Sequence, residues 1–357
     1  MNLNFWRGKR VLVTGHTGFK GSWLSLWLHE AGAVVAGYSL PPSSVENLFE
    51  LAGIGDAVDS VFADIRDLQE LQRQFHQFQP EIVLHLAAQA LVRRSYEAPV
   101  ETYQVNVMGT ANVLEAVRTC ESCRVALVVT SDKCYENREW NWGYRECDPM
   151  GGHDPYSSSK GCAELVTSAY RRSFFSSSAR HQVAVASARA GNVIGGGDFA
   201  KDRLVPDLIN SIRSGSVLTI RYPDAVRPWQ HVLEPLSGYL LLAEKLWESP
   251  AHFSDCWNFG PSARDCRSVR WIIEKINELS DQPVAWTVDL GIKPHEAGLL
   301  TLDSAKARTT LGWTSRWPVE TALRSAVRWY NSYRRNESVR TAVIRDIEAY
   351  VETPAPA

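Results

Sequence analysis

The sequence predicts an α/β fold: a parallel sheet with helices on both faces, followed by a smaller mixed α/β C-terminal lobe. Three observations predict it. The first half alternates short β-branched runs with helix-period patterns, the signal of repeated strand–helix–strand units. The run Ile82 to Leu86 is apolar throughout, as a strand buried on both faces requires. After about Gly191 the texture changes, with Gly195, Gly196, Gly197, Pro206, Pro223 and Pro228 breaking up mixed elements. The chain is therefore divided into a core at 1–190 and a lobe at 191–350 that returns some elements to the core. A tail at 351–357 is expected to fray.

The elements follow in order. Arg10 to Thr14 reads as the first strand, and Gly18 to Ala31 as a helix with Trp23, Leu24, Trp27 and Leu28 on one face. Val34 to Tyr38 and Val58 to Ala63 are the next strands. A helix from Leu68 to Phe78 starts behind Asp67 and stops before Pro80. Beyond the Ile82–Leu86 strand, a long helix from about Val100 to Thr119 leads to strand Val125 to Thr130. Another long helix starts at Pro155, and Val183 to Ala188 is a further strand.

Composition narrows the function classes. Net charge is −2, from 38 basic and 40 acidic residues, so neither a nucleic-acid groove nor an anionic membrane is the expected partner. No run is long and apolar enough to span a bilayer, and the amino terminus lacks the apolar stretch of a signal peptide. Seven scattered cysteines suit reduced thiols in the cytoplasm. Cys120 and Cys123 have C-x-x-C spacing without a second pair, and read as two thiols before a buried strand rather than a metal site. No metal is expected. The thirteen tryptophans are read as core.

The first strand runs into Gly15-His16-Thr17-Gly18-Phe19-Lys20-Gly21 at a helix start. Gly15 permits the tight turn, Gly18 lets backbone N–H groups approach a pyrophosphate, and Gly21 lets helix and strand pack closely. The helix N-terminus adds partial positive charge. This is a Rossmann-like dinucleotide loop, and Thr17 and Phe19 lie within it. Ile65, Leu86 and Ala87 follow the third and fourth strands and are expected to line the same ligand. The acidic residue that usually meets a ribose 2′-hydroxyl is missing after the second strand, where Ser39 stands, and no basic residue there welcomes a 2′-phosphate. NAD is favoured over NADP. Asp64 is placed to meet the adenine edge, with helix capping as its rival role.

Asp154-Pro155-Tyr156-Ser157-Ser158-Ser159-Lys160 reads as a helix start, with Asp154 as N-cap and proline in the first turn. Tyr156 and Lys160, four apart, share a face. A free tyrosine titrates near ~10; a neighbouring ammonium favours the phenolate. Such a pair can take a hydroxyl proton as hydride leaves the same carbon.

The motifs TGHTGFKG, HLAAQ (His85 to Gln89), NVMGT (Asn106 to Thr110) and YSSSK resemble those of the extended short-chain dehydrogenase/reductase family, over essentially the whole chain. SDKCYEN (Ser131 to Asn137), GGHDPYSSSK, RAGNVIGGGDF (Arg189 to Phe199) and RPWQHV (Arg227 to Val232) resemble its branch that dehydrates CDP-glucose. The resemblance implies C4 oxidation by NAD, loss of water across C5–C6, and return of the hydride to C6, a hydro-lyase reaction serving bacterial O-antigen and lipopolysaccharide synthesis. A 4-epimerase needs only Tyr, Lys and a Ser or Thr. A dehydratase also needs a base near C5 and an acid for the C6 hydroxyl. The resemblance assigns Asp132 as the acid and Lys133 as the base, with Ser131 on the C4 oxygen. In relatives acting on other nucleotide sugars the pair is Asp-Glu, so Lys133 departs from them. A lysine base must be partly neutral, through burial or the nearness of Lys160; the competing role for Lys133 is an ion pair with Asp132.

The nucleotide-sugar substrate carries a diphosphate, so Arg189, Arg203, Arg221 and Arg227 are candidate contacts, with Asn192 beside them. His295 and Glu296 either close over the nucleotide or belong to a plain loop. The resemblance also implies at least a homodimer, through the helices around Asn106 and Tyr156; Val105, Val113, Val117, Leu165 and Val166 suit that interface or their own sheet. A nucleotide-sugar 4-epimerase, a 4,6-dehydratase for another hexose and a non-catalytic dinucleotide-binding module are the alternatives.

Overall fold

The computed structural model describes residues 2–175, 182–289, 291 and 297–356. Among these, one sheet holds seven strands: β1 (Arg10–Thr14), β2 (Val34–Ser39), β3 (Asp59–Phe62), β4 (Ile82–His85), β5 (Val125–Val129), β6 (Ala184–Ala190) and β7 (Cys256–Phe259). Every pairing is parallel, and the order is β7-β6-β5-β4-β1-β2-β3. The chain winds outward from β1 to β3, then returns to lay β4 on the other side of β1. Thr14 thus stands opposite both Tyr38 and His85. A crevice opens beyond the carboxyl ends of β1 and β4, where ligands bind in open α/β sheets.

Alternation along the strands feeds two apolar layers. Val11 and Val13 join Trp23, Leu24 and Trp27 of helix α1 (Phe19–Glu30) on one face. Leu12 points the other way, to Leu71 and Phe75 of α2 (Leu68–Phe78) and to Val113 and Val117 of α3 (Gly109–Thr119). Val113 and Val117 therefore serve their own sheet rather than a partner.

The helix expected as one rod from Val100 to Thr119 is three joined pieces: Pro99–Tyr103, a π-helical turn Gln104–Met108, and α3. The widened turn carries the buried Asn106. Its amide donates to the Gln89 carbonyl at 3.0 Å and to Ser159 Oγ at 2.8 Å, and its oxygen accepts the Gln89 N–H at 2.8 Å. One side chain thereby joins the loop after β4 to helix α4 (Pro155–Phe174). Such bulges gather at functional sites. Asp154 caps α4, accepting the Ser157 N–H at 2.8 Å.

Beyond β6, helix α5 (Leu204–Ser214) and three two-stranded ribbons build the second lobe. The chain then returns to the core: α6 (Leu233–Glu248) lies on β5 and β6, β7 extends the sheet, and a terminal helix pair, α7 (Val319–Arg334) and α8 (Val339–Glu352), closes that face. The expectation of fraying from residue 351 needs correction through Thr353. The last helix runs to Glu352, and Arg316 Nη1 donates to the carbonyls of Tyr350, Val351 and Thr353 at 3.2, 3.0 and 2.9 Å. A guanidinium there satisfies carbonyls that a helix end leaves open.

Candidate active site

A cavity of about 1160 Å³ fills the crevice and extends beneath the second lobe. The glycine loop forms one wall. Gly15 has φ +76°, and a Cβ on it would lie 2.7 Å from the Ala87 nitrogen; one on Gly21 would lie 2.0 Å from the Gly15 carbonyl oxygen. No side chain caps the start of α1, so its first N–H groups are left for a ligand. Thr17 Oγ1 meets Ser39 Oγ at 2.9 Å and donates to the Leu40 carbonyl at 2.9 Å. Ser39, Leu40, Pro41, Ser44 and Glu46 line that end of the cavity without a cation among them. The cradle fits a dinucleotide with a free 2′-hydroxyl.

Phe19, Ile65, Leu86 and Ala87 also line the cavity. Thr14 Oγ1, 2.7 Å from His85 Nδ1, accepts the N–H groups of Leu86 and Ala87 at 3.2 Å each. His85 is pushed down to about 3 by burial, helped by the charge of Lys160, and stays neutral. Asp64 lines the cavity, and Arg66 holds its carboxyl below the usual range. Its rival role is removed, because the cap of α2 is Asp67.

The second wall carries the candidate catalytic side chains. Ser131, Asp132, Lys133, Tyr156 and Lys160 all face one cavity. Burial drives the Tyr156 phenol up to about 12, while a hydrogen bond with Ser131 and the charge of Arg203 work against that. Ser131 and Arg203 thus both favour the phenolate. Lys160 is pushed down to about 8 by burial, opposed by Glu164 and Cys134, and its ammonium lies 3.5 Å from the Val129 carbonyl. Burial raises the Asp132 carboxyl despite the charge of Lys133 and a hydrogen bond from Ser131 at 3.0 Å. Its Oδ2 is buried without a hydrogen-bond partner among the described residues. Burial thus makes the Asp132 carboxyl a weaker acid than a free aspartate. Lys133 acts on it through charge, and no direct ion pair joins the two among the described residues.

Asn192, Arg203, Arg221 and Arg227 line the far end. Arg203 Nη1 is held by Asp198 at 2.9 and 3.1 Å. Arg227 donates to the Val226 carbonyl at 3.0 Å, and its charge reaches Asp132. Arg189 needs correction as a phosphate contact. It is buried behind the site, donating to Glu164 at 2.7 Å and to the Tyr135 hydroxyl at 2.6 Å. Burying a guanidinium on β6 required that carboxylate, and α4 supplies it one turn beyond Lys160. His295 and Glu296 lie outside the described residues.

Sequence reasoning missed Lys20, whose pKa is pushed down to about 8 by burial, with Arg203 and Lys160 adding and Asp132 opposing. It stands among glycines read only for their backbone. Among the described residues no group of His, Cys, Asp or Glu is arranged to hold a metal ion, and no helix is long and apolar enough to cross a membrane.

Fold and site together are those of a Rossmann-like dinucleotide-binding protein with a Tyr–Lys pair in its cavity. Residues 12–326 match the family model for GDP-mannose 4,6 dehydratase. A CDP-glucose 4,6-dehydratase of Salmonella typhimurium is 52% identical over 353 residues, 98% of this chain and 98% of that one. A dTDP-glucose 4,6-dehydratase of Neisseria gonorrhoeae is 28% identical over 357 residues, covering 92% and 98% of the two chains. The crystal structure of a Bacillus anthracis dTDP-glucose 4,6-dehydratase in complex with NAD shares the fold, with a TM-score of 0.75 at 20% identity over 92% of this chain and 99% of that one. The chain belongs to the GDP-mannose 4,6-dehydratase family.

Proposed function

We propose that the protein is an NAD-dependent hydro-lyase converting CDP-D-glucose to CDP-4-keto-6-deoxy-D-glucose. The observation that carries this reading is the meeting of Asp132 and Lys133 with Ser131, Tyr156 and Lys160 in one cavity. An epimerase has no use for the first two. The preference for CDP rests on the relationship to the Salmonella enzyme, 52% identical along almost the whole chain.

Gly15, Thr17, Gly18, Phe19, Gly21, Ser39, Asp64, Ile65, Leu86 and Ala87 would hold NAD, with Tyr156 and Lys160 at its reactive end. Bound NAD would supply a hydride acceptor for C4 that can return the hydride at C6, with a cationic ring favouring the phenolate, so no external reductant would be consumed. Tyr156 takes the proton of the C4 hydroxyl, and Ser131 hydrogen-bonds the oxygen left behind. Once C4 is a ketone, the C5 proton is acidic; Lys133 removes it and, as its ammonium, returns a proton to C5 when hydride reaches C6. Asp132, whose pKa burial raises, gives a proton to the departing C6 hydroxyl. Asn192, Arg203, Arg221 and Arg227 bind the nucleotide, with His295 as a further contact.

A cytoplasmic location belongs to this reading, supported by seven free cysteines. So does a homodimer through the two adjacent rods at 99–119 and 155–174. Val100, Tyr103, Met108 and Leu165 stand exposed on them, a set of apolar side chains outside the core clusters of the described residues.

Incubation of the protein with CDP-, dTDP-, GDP- and UDP-glucose and GDP-mannose, followed by mass spectrometry, tests the reading. The expected result is loss of 18 mass units from the CDP sugar in preference to the others. Products of unchanged mass from every sugar would exclude a dehydratase.

A further inference from the structure

The cavity mouth carries a charge arrangement that neither the glycine loop nor the catalytic group accounts for. Arg93, in the short helix Val92–Glu97 beyond β4, reaches the second lobe and places Nη1 2.7 Å from Oδ1 of Asp202. Arg221, just past the strand Leu218–Ile220, aims its own Nη1 at the same oxygen from 4.0 Å. All three residues line the cavity. Asp202 has a left-handed backbone, φ 63°, which aspartate tolerates better than most residues, and its carboxylate stands between two guanidinium groups from the two halves of the molecule.

A carboxylate presents the same oxygen geometry to a guanidinium as a phosphate does, with less charge than a diphosphate. The Arg93–Asp202 pair is also cheap to break: the two side chains are 48% and 38% exposed, and ion pairs that open to solvent contribute little. We propose that Asp202 is a displaceable stand-in for the diphosphate of the nucleotide sugar, which takes over Arg93 and Arg221 on binding. The inference rests on the nucleotide-sugar reading above. Arg93 becomes a further substrate-binding residue, contributed by the core rather than the second lobe. The device is selective, because a ligand without a diphosphate cannot replace the contacts that Asp202 gives up, and meets an intact carboxylate at the mouth.

Calorimetric titration of the NAD-loaded protein with CDP and with cytidine tests this. Asp202→Asn should bind CDP about two- to five-fold more tightly than wild type and leave cytidine unchanged. Arg93→Met should weaken CDP binding about ten-fold, and in the double variant the gain from Asp202→Asn should shrink to the smaller share that Arg221 leaves, since Arg93 and Asp202 are coupled. An Asp202→Asn protein that binds CDP no more tightly than wild type, or that tightens cytidine equally, would overturn the proposal. Turnover of CDP-glucose by the wild type keeps the two readings apart. A wild type inactive on every nucleotide sugar, whose Asp202→Asn variant still tightens CDP, would overturn the dehydratase and retain the displaceable carboxylate.

Discussion

Tyr156 has to work against its own surroundings. Burial is the largest influence holding its phenol up at about 12, and Ser131 is the first group pulling the other way. Replacing Ser131 by Ala removes that hydrogen bond, so the acid limb of the kcat–pH profile should move to higher pH; a limb that stays in place would detach Ser131 from the titration of Tyr156. Lys133 carries the assignment that separates this branch from relatives with glutamate. Lys133→Ala should slow solvent deuterium entry at C5 by about 10²-fold or more while changing substrate affinity far less. Equal losses in both would make Lys133 a binding group. The glycine loop and the Tyr–Lys pair were legible in the sequence because each is local, a few residues on one turn or one helix face. Arg189 was not, because Glu164, 25 residues away in the chain, decides its role. Arg93 and Asp202 are 109 residues apart, and no spacing rule connects them.

Among the elements, the strands and helices that bound the crevice were readable from apolar period and caps. β1 and the helix Leu68–Phe78 have the limits the sequence suggests. The π-helical turn at Gln104–Met108 was hidden, since an inserted residue leaves the surrounding apolar pattern helical and is fixed by what Asn106 touches. The closing helix pair was also hidden, because its anchor is a long-range one. Glu234, buried at the start of α6, accepts the N–H groups of Arg316 and Trp317 and the Tyr350 hydroxyl. Burial raises its pKa to about 7 from 4.5. A carboxyl raised on folding lends stability that is whole below about 4.5 and lost as pH rises through about 7. Thermal unfolding of wild type should therefore show a decline in Tm between pH 5 and pH 8 that is absent in Glu234→Gln. Parallel Tm–pH curves for the two proteins would mean that Glu234 titrates as an ordinary carboxyl.

For the whole molecule, seven parallel strands place the cofactor cradle and the proposed catalytic side chains at one sheet edge, and the second lobe brings its arginines over them. The chain order of motifs was enough to foresee that edge. It was not enough to say which apolar residues of the two long rods face outward: Val113 and Val117 are buried against the sheet, while Leu165 is 61% exposed. Leu165→Glu should convert a dimer to monomers in sedimentation velocity while costing the fold no more than about 1 kcal/mol of stability; an unchanged sedimentation coefficient would remove these rods from any interface. The central claim is that one cavity oxidises C4, expels water from C5–C6 and returns the same hydride to C6. Turnover of CDP-glucose carrying deuterium at C4 tests it most directly. The account predicts a dehydrated product with that deuterium at C6, and an epimer of unchanged mass that retains deuterium at C4 would contradict it.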